Sequence, residues 1–138
     1  MAQKVREIMT ADPAVLSPQA PISEAARLMR DENVGDVLLT EEGRLRGVLT
    51  DRDIVVRVVA DQRPIDTAAA QVCSDNTVTC SPSDDLERAA ALMREHALRR
   101  LPVVDDGRLV GVVSLGDLAI ERDERSALAD ISAARPNA

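Results

Sequence analysis

Two short segments of the chain carry a glycine, a hydroxyl and a carboxylate at the same spacing. The first, G-V-L-T-D-R-D, begins at Gly47, and the second, G-V-V-S-L-G-D, begins at Gly111. Both fit the pattern G-x-x-[T/S]-x-x-D at the end of an apolar run. A hydroxyl and a carboxylate one helical turn apart can hold the vicinal diol of a ribose, and a glycine lets a ligand approach the strand backbone.

The same residues also have a purely structural interpretation. Thr50 and Ser114 are favourable helix N-caps, and Asp53 and Asp117 stand where the partner of a capping box would be. The sequence alone leaves both interpretations open. In either case each motif marks the point where a strand ends and a helix begins.

Few other side chains are suited to chemistry. Cys73 and Cys80 align with Met9 and Leu16 of an internal repeat, so packing as small apolar residues is the simplest interpretation, ahead of a disulfide or a metal site. His96 is the single histidine, and no nucleophile and base are paired in the sequence. We therefore predict no catalytic residue, no metal ligand and no enzyme activity.

An internal repeat organises the chain. A shift of 64 residues lays Ile8–Ile54 on Val72–Leu118 without a gap, with 13 identities over 47 positions, where chance would give about three. A unit of this size is only marginally stable alone. We therefore expect the two copies to pack as one pseudo-twofold pair. The domain limits predicted from the repeat are 1–62, 63–123 and a C-terminal tail over 124–138 that frays or docks on a partner.

Each copy is predicted to fold in the order β-α-β-β-α, which is an α/β (α+β) fold. A short apolar stretch precedes a Ser-Pro turn and a helix, and two apolar runs joined by Glu-Glu-Gly or Asp-Asp-Gly then indicate a hairpin. A closing helix follows. The predicted ranges for the two copies are 14–16 and 78–80 for the first strand, 37–40, 45–49, 101–104 and 109–113 for the hairpins, and 52–59 and 115–120 for the closing helices.

Composition excludes several function classes. The chain has 138 residues, 45% hydrophobic and 30% charged, with no Phe, Trp or Tyr, so no ring can stack on a nucleic-acid base. Its formal charge of -7 opposes binding to nucleic acid or to an anionic membrane. With no apolar run of membrane-spanning length and only two cysteines, we expect a cytoplasmic protein.

The repeat, the paired motifs and the segment L-R-R-L-P-V-V-D from Leu98 to Asp105 resemble a tandem pair of cystathionine-β-synthase-type (CBS) domains, also called a Bateman module. The resemblance covers residues 5 to 122, and it extends to short CBS-pair proteins of the hypoxic-response type. It implies binding of an adenosine-containing ligand such as AMP, ADP or ATP in clefts between the repeats. The need for Mg²⁺ is left open.

The resemblance also implies roles for individual residues. The motif aspartates hold the ribose, the motif hydroxyls lie near ribose and phosphate, and the valine after each motif glycine walls the base. It places Arg99 and Arg100 opposite the Asp53 motif, where with Arg52 they would meet phosphate. The expected ligand-binding residues are Val48, Thr50, Arg52, Asp53, Arg99, Arg100, Val112, Ser114 and Asp117.

Three functions are compared on this basis. The favoured one is a regulatory sensor that binds an adenine nucleotide or another adenosyl ligand. The alternative is a ligand-free module for protein-protein interaction or oligomerisation, and an enzyme is the least favoured. The closing helix of the first copy carries Ile54, Val55, Val58 and Val59, more apolar surface than its own repeat can cover, so we expect a homodimer. A further protein partner stays unidentified.

Overall fold

The secondary structure follows the repeated order predicted from the sequence, with one exception. The strand predicted over 78–80 at the start of the second copy is only an isolated parallel bridge between Cys80 and Val103. The structure, a computed structural model, describes residues 3–74 and 78–127. The strands are β1 (Val15–Leu16), β2 (Asp36–Glu41), β3 (Arg44–Thr50), β4 (Arg100–Asp105) and β5 (Arg108–Ser114). The helices are α1 (Ile22–Glu32), α2 (Asp51–Ile54), α3 (Leu86–His96) and α4 (Leu115–Ala127).

Two compact units divide the described chain. The repeat-1 unit comprises residues 12–74 and 106–109, and the repeat-2 unit comprises residues 3–11, 78–105 and 110–127. Each unit therefore holds one helix-and-hairpin repeat together with a segment from elsewhere in the sequence. The segment that precedes repeat 1 belongs to the repeat-2 unit, and the segment that precedes repeat 2 belongs to the repeat-1 unit.

We call these two preceding segments, residues 3–11 and 68–74, the lead-in segments. Each contains one 3₁₀ turn, Val5–Glu7 in the first and Ala69–Gln71 in the second. The sequence predicted short helices over 5–9 and 68–73, and the structure shortens both. The first is held by the Val5 N–H, which donates to the Asp84 carbonyl at 2.9 Å. The second is held by the Ala69 N–H, which donates to the Ala20 carbonyl at 2.8 Å.

The hairpins form because their turns suit a tight reversal. Glu42 and Gly43 have φ of 55° and 80°, and Asp106 and Gly107 have φ of 56° and 82°. Two consecutive positive φ angles match the right-handed twist of the flanking strands. In the repeat-1 unit β1 pairs in parallel with β2, and β2 pairs antiparallel with β3.

Strand alternation and helical spacing build one apolar core in each unit. In the repeat-1 unit, α1 packs on the hairpin through Ile22, Ala25 and Met29, with Ala69 and Val72 added by the lead-in segment. The repeat-2 core is equivalent and consists of Val5, Cys80, Ala89, Leu92, Met93, Leu101, Val103, Val113 and Leu118. The core is aliphatic, as a chain without aromatic residues requires.

Several local predictions need correction. The closing segment of repeat 1 is α-helical only to Ile54 and continues as a π-helix over Val55–Val59. In repeat 2 the closing helix runs to Ala127, beyond the predicted end at Ile120. The residues from Glu121 to Ala127 are mostly charged residues and alanine, several of which favour a helix. Residues 128–138 of the predicted tail lie outside the described chain.

Asp84 and Asp85 are residue types that suit the start of a helix, but the structure uses them differently at the N-terminus of α3. Asp85 is the N-cap residue but makes no side-chain cap bond. Its carboxylate instead accepts a 2.8 Å hydrogen bond from Lys4 Nζ, while Asp84 accepts from the Ser81 N–H. The lead-in segment has therefore taken the carboxylate that local chemistry would assign to the cap.

Candidate functional site

The first motif bridges the end of β3 and the start of α2. The Asp53 N–H donates to Thr50 Oγ1 at 3.0 Å, and the Thr50 N–H donates to Asp53 Oδ2 at 3.0 Å. Both side chains are half-buried. The reciprocal pair is a capping box, and it fixes the hydroxyl and the carboxylate side by side.

The second motif repeats this arrangement between β5 and α4. The Asp117 N–H donates to Ser114 Oγ at 3.0 Å, and the Ser114 N–H donates to Asp117 Oδ2 at 2.9 Å. The structural interpretation of both motifs is thus realised. It does not exhaust the carboxylate, because two oxygens offer about four acceptor positions and the cap uses one.

The motif glycines are required by the chain itself. A Cβ on Gly47 would lie 2.8 Å from Cys73 Sγ and 3.0 Å from the Ser74 carbonyl oxygen. A Cβ on Gly111 would lie 2.8 Å from both Met9 Sδ and the Thr10 carbonyl oxygen. From the sequence we expected a ligand to lie close to these glycines. In the structure the lead-in segment lies there instead.

The residue after each glycine pairs with that segment through its backbone. Val48 and Ser74 exchange two hydrogen bonds of 3.0 Å, and Val112 and Thr10 exchange two of 2.8 and 3.0 Å. Sequence reasoning missed Ser74 and Thr10 as neighbours of the motifs. One signal was available, because the shift of 64 residues aligns these two hydroxyl residues with each other.

The two valines differ in the surface that they offer. Val48 is half-buried, whereas Val112 is 4% exposed. Val48 therefore presents more side-chain surface to a ligand than Val112 does.

The candidate arginines lie near the helix starts. Arg52 is exposed in the first turn of α2. The Arg99 carbonyl accepts the N–H of Leu115, the first residue of α4, at 2.7 Å, which brings Arg99 beside the second motif. Arg100 is half-buried at the start of β4. The expected contact of Arg99 and Arg100 with a ligand at Asp53 remains a prediction.

Cys73 and Cys80 form no disulfide bond with each other. Cys80 is part of the repeat-2 core, and desolvation, with a smaller contribution from the Asp84 charge, raises its pKa to about 11. Cys73 is half-buried against Gly47. Among the described side chains, residues 3–74 and 78–121, no three His, Cys, Asp or Glu are grouped so that they could hold a metal ion. In the same part of the chain, no helix is long and apolar enough to cross a membrane.

Comparison with known proteins matches both repeats to one family. The CBS domain matches residues 5–60 and 69–123. The CBS domain-containing protein YhcV of Bacillus subtilis is 45% identical over 132 residues, covering 93% of this chain and 94% of YhcV. Hypoxic response protein 1 of Mycobacterium tuberculosis is 32% identical over 116 residues, covering 83% of this chain and 81% of that protein.

Solved structures share the fold. A CBS domain protein of Pyrobaculum aerophilum, solved in complex with AMP, is 32% identical, with a TM-score of 0.80 over 92% of this chain and 98% of its own. The two ranges matched by the CBS domain include both repeats and both motifs. The chain belongs to the CBS-domain family, as a tandem CBS pair of mixed α/β fold.

Proposed function

We propose that this protein is a regulatory sensor that binds an adenosine-containing ligand, such as AMP, ADP or ATP, at its two G-x-x-[T/S]-x-x-D motifs. The ligand-binding residues proposed are Val48, Thr50, Arg52, Asp53, Arg99, Arg100, Val112, Ser114 and Asp117. Binding rather than catalysis is the activity. The signal is then a change in the shape or association of the protein.

One observation supports the proposal most strongly. In both units a hydroxyl and a carboxylate are fixed side by side at a strand end by reciprocal hydrogen bonds. The unused acceptor positions of the carboxylate suit the paired hydroxyls of a ribose. A family member with 32% identity was solved with AMP, which is a ligand of this chemistry.

The composition of the chain favours the same ligand class. A base cannot be held by aromatic stacking, because Phe, Trp and Tyr are absent. Aliphatic contact with a purine face, together with hydrogen bonds to ribose, is the recognition that remains. We propose that Val48 and Val112, each two residues before the motif hydroxyl, supply this contact, and that Val48, the more exposed of the two, supplies more of it.

A second candidate function is protein-protein interaction without a ligand. The observation that favours it is the apolar surface of the π-helix, where Val55, Val56 and Val59 are 59%, 44% and 66% exposed. Such a surface indicates an interaction site. The two functions are separated by whether adenosyl ligands bind at all.

Equilibrium dialysis provides the test. Because the chain contains no Trp or Tyr, adenine absorbance is read with little protein background. We expect adenosine, AMP, ADP or ATP to bind, and the corresponding guanosine compounds to bind weakly or not at all. ATP is measured with and without Mg²⁺.

The matched variant is the double substitution Asp53→Asn and Asp117→Asn. Each amide oxygen can still accept the cap hydrogen bond, but the negative charge that strengthens ribose binding is lost. Loss of a hydrogen bond to a charged group weakens affinity about 10-fold to 150-fold. Asp61→Asn with Asp66→Asn, at exposed positions outside the motifs, is the charge control because it also removes two negative charges. Absence of binding by the unsubstituted protein would refute the sensor function.

A further inference from the structure

A polar contact joins the closing helix of repeat 1 to the second lead-in segment. Arg57, in the π-helix over Val55–Val59, donates from Nη1 to the Val72 carbonyl oxygen at 3.1 Å. This hydrogen bond is half-buried and lies in the repeat-1 unit, which holds the first motif. A side chain of the closing helix is therefore bonded to the backbone of the lead-in segment.

The closing helix also carries the carboxylate of the first motif. Asp53 lies four residues before Arg57 in one continuous helical stretch, Asp51–Ile54 followed by Val55–Val59. Its N–H is fixed at the helix start by the 3.0 Å bond to Thr50 Oγ1. The carboxylate proposed to bind ribose therefore shares the position of this helix.

The lead-in segment lies against the strand end of the same motif. The residue after Val72 is Cys73, whose Sγ lies 2.8 Å from where a Cβ on Gly47 would be. Ser74 then exchanges two 3.0 Å backbone hydrogen bonds with Val48, the residue proposed to contact the base. Since Val72 and Ser74 are two residues apart, at most about 7 Å of chain separates the arginine bond from this backbone bridge.

Apolar packing brings the closing helix and the lead-in segment together without fixing their register. Val58 of the π-helix and Val72 both belong to the repeat-1 core. Burial of apolar surface is non-directional, whereas a hydrogen bond has a preferred distance and angle. The Arg57 bond is therefore the contact suited to hold the lead-in segment at one position along the helix.

The repeat-2 unit cannot form the same bond. The shift of 64 residues places Glu121 at the position of Arg57, and a carboxylate has no hydrogen to donate to a carbonyl. The first lead-in segment is instead held by Lys4, whose Nζ lies 2.8 Å from Asp85 Oδ1. Each lead-in segment thus has its own polar anchor, and a substitution can release one without the other.

A ligand bound at the first motif as proposed contacts Asp53 and Val48 together, so its affinity depends on a preorganised spacing between them. We infer that Arg57 is a positioning residue for this motif: through Val72 it holds the second lead-in segment beside Gly47 and Val48. In this role Arg57 acts through the lead-in segment and not by contact with the ligand. The inference rests on the proposed function and assigns a role to a residue outside the G-x-x-[T/S]-x-x-D pattern.

Adenosine binding by the full chain tests this role, because adenosine has no phosphate on which a guanidinium charge could act. The Asp117→Asn background reports the first motif, and the Asp53→Asn background reports the second. Arg57→Met keeps an apolar stem and removes the donor. In the Asp117→Asn background we expect it to weaken adenosine binding at least about 3-fold, because losing a hydrogen bond from a charged group shifts the lead-in segment toward release.

Three comparisons separate positioning from general destabilisation. In the Asp53→Asn background, Arg57→Met should leave adenosine binding unchanged, which also shows that the variant is folded. Arg57→Lys retains a donor and should recover part of the affinity lost at the first motif. Arg63→Met removes the same charge and adds the same side chain at an exposed loop position, and should have no effect.

Amide hydrogen exchange gives a second readout, which needs no ligand. Release of the lead-in segment opens the backbone bridge between Val48 and Ser74, so their N–H groups should exchange faster in Arg57→Met. The equivalent N–H groups of Thr10 and Val112 should exchange as in the unsubstituted protein.

The inference is overturned if Arg57→Met leaves adenosine affinity unchanged in the Asp117→Asn background. An equal loss at both motifs would also overturn it, because the effect would then be a general destabilisation. Unchanged hydrogen exchange at Val48 and Ser74 would do the same. If the unsubstituted protein binds no adenosine, it is the proposed function that fails, and the role of Arg57 in binding fails with it.

Discussion

Single residues in this protein are constrained mainly by what lies against them. Gly47 and Gly111 illustrate this, because each lies beneath a sulfur atom and a backbone carbonyl of the lead-in segment. Gly116 is different, since a Cβ there would meet only Ser114 Oγ at 3.7 Å, an ordinary contact. Substitution by alanine is therefore expected to destabilise the protein at Gly47 and Gly111 but not at Gly116.

We predict that Gly111→Ala destabilises the protein by about 1–3 kcal/mol, because the added methyl overlaps Met9 and the Thr10 backbone. Gly47→Ala should have a similar effect. Gly116→Ala should instead stabilise by about 0.5–1 kcal/mol, because it lies in α4 without steric conflict. Urea unfolding measures all three. Equal stability of Gly111→Ala and the unsubstituted protein would show that the lead-in segment does not press on β5.

The buried thiol of Cys80 links stability to alkaline pH. Burial raises its pKa in the folded protein to about 11 from 9.0. The unfolded chain therefore releases this proton first. The stabilising contribution is complete below pH 9 and is lost as pH rises from about 9 to about 11.

We expect the free energy of unfolding to fall between pH 9 and about pH 11. In the Cys80→Ala variant it should fall less steeply over the same range. Few other groups titrate here, since the chain has no Tyr and Lys4 is its single Lys. Cys73→Ala is the matched control, because Cys73 is only half-buried. Identical pH slopes for the protein and Cys80→Ala would contradict the prediction.

At the scale of elements, the lead-in segments contribute to the cores despite their short length. Val5 is fully buried and Val72 is 1% exposed, each in a different core. The 3₁₀ turns that carry them could not fold alone, because an isolated turn fixes several dihedral angles for one hydrogen bond. Tertiary contact stabilises them.

We predict that Val5→Ala lowers the free energy of unfolding by about 2 kcal/mol, through lost apolar burial and the cavity left behind. Val72→Ala should behave similarly. Val15→Ala, in β1, is the control because that side chain is 41% exposed and should contribute less. If Val5→Ala were no more costly than Val15→Ala, the turn would not be part of the repeat-2 core.

At the scale of the whole molecule, the exposed apolar surface of the π-helix points to association. Val58 is buried and Ile54 half-buried, but Val55, Val56 and Val59 remain largely exposed in the single chain. Of the two adjacent alanines of α1, Ala25 is buried and Ala26 is exposed, so Ala26 is available for packing against a second copy. The homodimer predicted from the sequence remains a prediction, and these valines are its expected contact.

We expect light scattering to give a mass twice that of the 14.9 kDa chain. Val55→Glu with Val59→Glu should convert the protein to a monomer, because burying two charges without partners at an interface is strongly unfavourable. Glu87→Gln on α3 is an exposed control. A mass of one chain at every concentration would refute the dimer.

The sequence by itself determined the repeated order of elements, the hairpin turns and the strand-to-helix motifs. These features depend on interactions within a few residues, such as the Thr50–Asp53 cap and the positive φ angles at Glu42 and Gly43. Helical spacing likewise predicted Ile22, Ala25, Ala26 and Met29 on the buried face of α1. This was right for all but Ala26, which is exposed. The family resemblance added the ligand class, which no local pattern could supply.

Only the tertiary structure decided which repeat each lead-in segment joins. The Lys4–Asp85 ion pair and the Val5–Asp84 hydrogen bond connect residues about 80 positions apart, and no short-range pattern encodes such a contact. Other contacts of the lead-in segments gave the motif glycines a different role. The bond from Lys4 engages Asp85, which makes no cap bond. Burial of Val5 against distant strands decides the arrangement, because burial depends on neighbours that the linear sequence does not bring together.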